Sequence, residues 1–298
     1  MTEKAILVIG YKRPRYLYIT LQGVFRVRGI EDYDVFVSID GNEETKEAKE
    51  VISQFDIKKS IFRSARLNNL LHVTHSLKTI FDTGYNLILY IENDFLLRPD
   101  TIEYVRKAKK DCFFLSLQKI QPDRKIRRQN RIKAGIDLDF RDGQIIRAYR
   151  EGKSKDEVQQ EFGSSDIKKG YSPLGNVILA RDFEKLFNFV VRLEYLGERR
   201  AVKGGDILNS VWIGHDNAFN RFLIDKQHCS RYADQPYVYH FGVRGWHQIE
   251  SSYVTEVEQK IFSGPRERWV DNVIEIANGS SQRFLTGKAL IPKEFKYD

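Results

Sequence analysis

Ala5-Ile6-Leu7-Val8-Ile9-Gly10, followed at once by Tyr11-Lys12-Arg13-Pro14, is the stretch on which the fold turns. A short run without a charged group has the length of a strand buried on both faces. Pro14 suits the first turn of a helix, where its missing N–H costs nothing and its φ is preset, and the pattern predicts a helix through about Val27. The same phrase then repeats. Asp34–Asp40 (DVFVSID) reads as a second strand, and Glu43–Phe55 as a helix with Ala48, Val51, Ile52 and Phe55 on one face. Ser60–Arg63 is a short third strand, and Asn69–Thr83 an amphipathic helix stopped near Gly84. Asn86–Ile91 is a fourth apolar run, Pro99–Lys110 a short basic helix and Cys112–Leu117 a fifth strand. Short apolar strands alternating with helices predict an α/β, Rossmann-like fold with a mostly parallel central sheet flanked by helices. Such folds bind ligands beyond the carboxyl ends of their strands. The polar residues placed there are Tyr11-Lys12-Arg13, Asp40-Gly41-Asn42 and Glu92-Asn93-Asp94.

Length and composition agree with an ordinary enzyme-sized domain. The chain has 298 residues, 41% hydrophobic and 30% charged, which excludes a disordered chain and a membrane channel. No apolar run approaches the ~18–20 residues of a spanning helix. The N-terminus lacks the ~7–15-residue apolar region of a signal peptide. Cys112 and Cys229 are far apart in sequence; Cys112 lies in an apolar run and reads as a buried hydrophobe. The expectation is therefore no disulfide framework, no cysteine-based metal site and a reducing, cytoplasmic compartment. The net charge of +8 points to an anionic partner without choosing among nucleotide, nucleic acid, phospholipid and acidic glycan.

The second half changes character. From Lys119 to Lys133 there are seven basic residues and one acidic residue, Asp123. Ser154 and Glu157 have capping-box spacing ahead of a helix to Phe162. Gly175–Ala180 is a strand, Asp182–Val191 a helix, Asp216–Gln227 a helix, and Pro236–His240 a late strand. The tail from Arg266 holds one helix. There is no repeat and no linker, so a single domain over 1–298 is expected, with a basic insertion over 119–170.

Chemistry concentrates in three places. Glu92 and Asp94 are acids at spacing two beyond an apolar strand. Hard oxygen ligands beside phosphates suit Mg²⁺ or Mn²⁺; the plain alternative is that Asp94 starts the next helix. Gly214-His215-Asp216-Asn217 opens a helix, where Asp216 is either a functional acid or an N-cap. Tyr239-His240-Phe241-Gly242-Val243-Arg244-Gly245-Trp246-His247 ends a strand in a glycine-rich loop. His240 there is either packed or a ligand, His247 competes for that role, and Trp246 offers an aromatic platform or packing. No phosphate-binding glycine fingerprint or nucleophile elbow occurs. His72 and His75 read as structural.

In order, AILVIGYKRPRYL, SIDGN and YIENDFLLRPD resemble the strand–turn–helix opening, the "S-D-D-G-S" segment and the "DXD" strand of nucleotide-sugar glycosyltransferases of the GT-A fold, nearest in style to the family 2 group. The resemblance covers residues 4–117 well and the rest loosely, and it implies a nucleotide-sugar-binding half over 1–117 and an acceptor-side half over 118–298. It implies a GT-A-like fold and transfer of a sugar from a nucleoside-diphosphate sugar, UDP-linked by preference, to a hydroxyl. It also implies Mn²⁺ or Mg²⁺ held by Asp94, with His240 completing the site. Asp40 would meet the base or ribose, and Glu92 the metal or ribose. Tyr11, Arg13, Arg66, Asn69 and Arg244 would contact the donor. Asp216 would be the catalytic base of an inverting transfer. The acidic triplet here is E-N-D, which departs from the family pattern at Glu92 and Asn93. Arg66 can equally be a solvated loop charge.

Arg124–Lys133 is either a solvated loop or a groove for an anionic acceptor. Lys155–Tyr171 has a faint helix-turn-helix look, cut short by Pro173. Three readings stay open: a glycosyltransferase acting on a glycan, lipid-linked sugar or protein; one modifying a hydroxylated base in DNA or RNA; and a non-catalytic nucleotide-sugar or nucleic-acid binding protein.

Overall fold

A computed structural model describes residues 3–11, 13–41, 45–63, 69–119, 167–168, 175–191, 218–219, 222–223, 226, 228–242 and 252–279. The chain divides into two compact units, each assembled from separate stretches of sequence: 1–66, 87–108 and 235–298 in one, 67–86 and 109–234 in the other.

The first unit carries the predicted repeat. Strands β1 (Lys4–Gly10), β2 (Asp34–Ile39), β3 (Lys59–Phe62) and β4 (Leu87–Glu92) lie in the order β3-β2-β1-β4. All three pairings are parallel. Ala5 to Val8 and Ile88 to Ile91 are buried at or near zero exposure, as strands covered on both faces require. Helices α1 (Pro14–Val24) and α2 (Thr45–Ile52) connect them. Pro14 occupies the first turn of α1 as the sequence predicts. The helix ends at Val24, short of Val27, and Arg26 and Val27 form turn hydrogen bonds instead.

The stretch after β4 differs from expectation. Phe95–Leu97 is a strand, β5, rather than a lead-in to a helix, and it pairs antiparallel with β10 (Val238–His240) in a separate two-stranded sheet. Helix α4 then runs only over Thr101–Lys107 with Asp100 at its N-cap, where Arg98 grips the Asp100 carboxylate. Asp94 therefore does not start a helix.

A C-terminal helix pair closes this unit. Helix α6 (Ser252–Ile261), absent from the sequence reading, and helix α7 (Trp269–Gly279) pack Val257, Ile261, Val270 and Val273 onto Tyr16 and Ile19 of α1 and onto Leu96, Tyr239 and Phe241. Full burial of each large aliphatic side chain contributes roughly 1.5–3 kcal/mol. The Arg15 guanidinium lies 3.8 Å from the Phe262 ring centroid and 4.9 Å from that of Trp269.

In the second unit, β6 (Phe114–Lys119) pairs antiparallel with β8 (Asn176–Leu179) and parallel with β9 (Ser230–Ala233). Strand β7 (Ile167–Lys168) pairs antiparallel with β9. Helix α3 (Asn69–Phe81) meets the helix over 180–191, termed α5, through Phe81 on Phe183, His75 on Phe187 and an ion pair from Lys78 to Glu184. The α/β class and the predominance of parallel pairing are thus as the sequence predicts. The basic run 124–133, the capping box at 154–157 and the 155–171 segment apart from β7 lie outside the described residues. Among the described residues no helix is long and apolar enough to cross a membrane.

The cysteine expectation is overturned. Cys112 and Cys229 are bridged, with Cα atoms 5.2 Å apart. Cys112 lies two residues before β6 and Cys229 directly before its parallel partner β9, and the Phe113 N–H donates to the Cys229 carbonyl at 2.9 Å. Strand pairing thus brings together residues 117 positions apart, which spacing alone does not reveal. The pairing also removes the cysteine-based ground for a reducing compartment, since disulfides are rare in the cytosol. Closing a loop this long stabilises by roughly 4–5 kcal/mol in the chain-entropy account. We expect unreduced protein to show no titratable thiol under denaturant, and the reductant TCEP to lower its melting temperature by several degrees. An unreduced chain with two free thiols would refute the bridge.

Candidate functional site

The site lies at the carboxyl ends of the parallel strands of the first unit. Register sets Gly10 opposite Ile39, and Ile9 opposite Glu92. Asp40 follows β2 directly, and its N–H donates to the Gly10 carbonyl at 3.0 Å. The Asp40 carboxylate is buried, and its Oδ1 accepts from the Gly41 N–H at 3.1 Å. Tyr11 and Glu92 are half-buried at the ends of β1 and β4.

Asp94 sits two residues beyond Glu92 and is 4% exposed. Its Oδ2 meets Arg13 Nη1 at 3.0 Å and His240 Nε2 at 3.3 Å. Its Oδ1 is buried and has no hydrogen-bond partner among the described residues. Burial pushes the Asp94 carboxyl upward. The charge and hydrogen bond of His240, then those of Arg13, outweigh it and hold the group at about 2. Burial in turn pushes His240 downward, and the charge and hydrogen bond of Asp94, helped by Glu92, leave it raised overall.

The backbone locks these groups in place. β10 pairs His240 with Phe95, the Phe241 N–H donates to the Asp94 carbonyl at 3.0 Å, and the His240 ring stacks on Phe95 at 4.8 Å. Arg13 has φ 59 and ψ 57, and is the sole non-glycine residue with positive φ among the described residues. Such a conformation costs of order 1–3 kcal/mol and clusters at functional sites. Here it turns the guanidinium back over the strand ends, where Nη2 also donates to Asn93 Oδ1 at 3.2 Å.

The structure brings Arg13, Asp94 and His240 into direct contact at one end of the sheet. Asp40, Tyr11 and Glu92 stand at the same strand ends. Asn69 opens α3 in the other unit and is exposed. Arg66, Asp216, Arg244, Trp246 and His247 lie outside the described residues.

Two participants had no assigned role in the sequence. Asn93, read as a departure from an acidic pattern, is buried and receives Arg13. Gly242 leaves room for the pair: a Cβ there would lie 2.3 Å from Asp94 Oδ2 and 2.9 Å from His240 Nε2. The only sequence signal for it is a glycine two residues after a strand-end histidine.

The donor set fits a hard divalent cation completed by a ligand. Among the described residues no cluster of three or more His, Cys, Asp or Glu side chains forms a full cage. Mg²⁺ and Mn²⁺ sites in nucleotide enzymes use one or two carboxylates and take the rest of their shell from phosphate and water. A buried, ionised carboxylate with one unpartnered oxygen beside an imidazole meets that description.

No protein-family model matches the chain, and no curated protein is similar to it at a significant level. Among solved structures, the chain is similar to the glycosyltransferase GlyE of Streptococcus pneumoniae TIGR4, at 11% identity and TM-score 0.46 over 93% of this chain and 63% of that one. It is similar also to the mannosyltransferase PcManGT from Pyrobaculum calidifontis in complex with GDP-Man and Mn²⁺, at 10% identity and TM-score 0.47 over 92% and 70%. The chain therefore spans 63% of the length of GlyE.

Proposed function

We propose that the chain is a metal-dependent glycosyltransferase that moves a sugar from a nucleoside-diphosphate sugar to a hydroxyl acceptor. The observation that carries this reading is the Asp94 carboxylate: buried, ionised, one oxygen unpartnered, facing Arg13 and His240 where parallel strands end. The motif order in the sequence supports it.

Asp94 and His240 would hold Mn²⁺ or Mg²⁺, and the ion would supply neutralising charge to a diphosphate leaving group. Arg13 meets the diphosphate with its planar donor fork. Asp40 takes the base or ribose, and Tyr11 and Glu92 line the donor pocket. Arg66, Asn69 and Arg244 are assigned further donor contacts, and UDP is the preferred nucleotide. Asp216 is the base of an inverting displacement. The acceptor oxygen attacks the anomeric carbon, its proton passes to the Asp216 carboxylate, and the bond to the diphosphate oxygen breaks. The basic segment 119–133 is assigned to an anionic acceptor, whose affinity then falls with salt.

The test is a panel of UDP-, GDP-, CMP- and dTDP-sugars with Mn²⁺, reading nucleotide release and the anomeric configuration of the product. No release from any donor, with or without acceptor, would leave a binding protein in place of an enzyme. Retained configuration would remove Asp216 from the base role.

Asp40→Asn is expected to raise donor KM by about 10–100-fold, because a hydrogen bond to a charged group contributes roughly 1.5–3 kcal/mol. The fold should survive, since the amide oxygen can still accept from the Gly41 N–H. Unchanged donor affinity by calorimetry would remove Asp40 from the site.

A further inference from the structure

We propose that Arg13 is a built-in counter-cation for Asp94, which the divalent ion must displace and which the arriving diphosphate then receives. This rests on the metal reading above and adds a mechanism that couples the two ligands. Arg13 Nη1 lies 3.0 Å from Asp94 Oδ2, the same oxygen that His240 approaches at 3.3 Å. The Arg13 side chain is 27% exposed while the Asp94 side chain is 5% exposed, so the paired arginine reaches solvent and the acid does not. The other guanidinium nitrogen is tethered to Asn93.

A divalent ion that uses Asp94 faces a full positive charge already seated on that group. Two cations on one buried carboxylate repel strongly, because screening is weak there. The metal alone therefore binds poorly while Arg13 is in place. Release of Arg13 becomes favourable once an anion is present to take it, and a diphosphate oxygen pair matches its fork geometry. The guanidinium carbon also lies 5.2 Å from the Tyr16 ring centroid. The metal and the nucleoside diphosphate accordingly strengthen each other, in the way that coupled sites share one free energy.

The consequence has an unusual sign: neutralising a site residue tightens metal binding. Mn²⁺ binding to the full chain, followed by paramagnetic resonance of the free ion, should be about tenfold tighter in Arg13→Gln than in wild type, within the ~5–150-fold range of ordinary coupling. Arg13→Lys keeps the charge and should stay weak like wild type. The affinity for UDP in EDTA should fall in Arg13→Gln. A general loss of structure would weaken both ligands together, so opposite signs identify the displacement. Should Arg13→Gln fail to fold, wild-type protein with ¹⁵N-arginine gives the second readout. The Arg13 guanidinium signal should lose its slow solvent exchange when Mg²⁺ is added. Wild type that binds Mn²⁺ while Arg13→Gln binds it no tighter, or an Arg13 signal unmoved by saturating Mg²⁺, would overturn the proposal and leave the metal site standing. Failure of all three proteins to bind Mn²⁺ would overturn both.

Discussion

Asp94→Asn is expected to abolish Mn²⁺ binding and metal-stimulated nucleotide release, with a loss of at least about 100-fold in metal affinity. Even outer groups that merely orient a metal ligand cost roughly 10–100-fold when mutated, and Asp94 is the buried carboxylate of this site. The amide keeps the shape of the side chain and can still accept from Arg13, so the fold is expected to persist. Circular dichroism and a melting curve check that point. The same variant has a signature in metal-free protein. Asp94 is held at about 2 against an ordinary 3.8, so it titrates below its unfolded value. The stability it lends is complete above the ordinary value and is lost as pH falls through about 2. His240 is raised, so its contribution is complete below its ordinary 6.5 and fades as pH rises through the raised value. Asp94→Asn removes both slopes at once. A variant that bound Mn²⁺ like wild type, or that kept the wild-type acid slope, would take Asp94 out of the site.

How far the sequence reached follows from what kind of signal each element leaves. β1, β2 and β4 are apolar runs buried in a parallel sheet, a pattern that needs no partner to be recognised. β5 is only Phe95-Leu96-Leu97, and what makes it a strand is β10, whose residues lie more than 140 positions away. β9 reads Ser-Arg-Tyr-Ala, with no apolar run, and is a strand because β6 and β7 flank it. Helix α6 carries few apolar residues and depends on α1 and α7 to bury Val257 and Ile261. The disulfide has the same character, since chain order hides what strand pairing juxtaposes.

The site was legible to a similar depth. The resemblance pairs Asp94 with His240 as expected metal ligands, and the structure sets the two side chains 3.3 Å apart. The left-handed turn at Arg13 was invisible because proline after arginine signals only a helix start. Asn93 looked like a lost acid, yet an amide oxygen can hold one guanidinium nitrogen while Asp94 holds the other. A second acid there would have added repulsion beside Asp94.

Gly242→Ala is expected to disable the site nearly as fully as removing the carboxylate, without touching any charged group. The added Cβ would fall 2.3 Å from Asp94 Oδ2, 2.9 Å from Asp94 Cγ and 2.9 Å from His240 Nε2, distances that real Cβ atoms do not tolerate. Something must move. The backbone has little freedom, because the Phe241 N–H is bonded to the Asp94 carbonyl and His240 is in register with Phe95. The Phe241 ring is fully buried and stacked on Tyr16, whose hydroxyl donates to Glu258 at 3.1 Å. The Asp94 side chain is therefore the part that yields, and turning it away breaks its contacts with both Arg13 and His240. Overpacking of this kind costs typically 1–3 kcal/mol in stability, so a moderate drop in melting temperature should accompany a loss of Mn²⁺ affinity of about 100-fold. Gly264→Ala separates strain from sterics. Gly264 has φ +69, and a methyl group there would meet nothing within 4 Å, so alanine is strained but crowds no neighbour. That control should lose stability and keep its metal. Wild-type Mn²⁺ affinity in Gly242→Ala would mean that the carboxylate does not bind metal in the place where Arg13 and His240 now hold it.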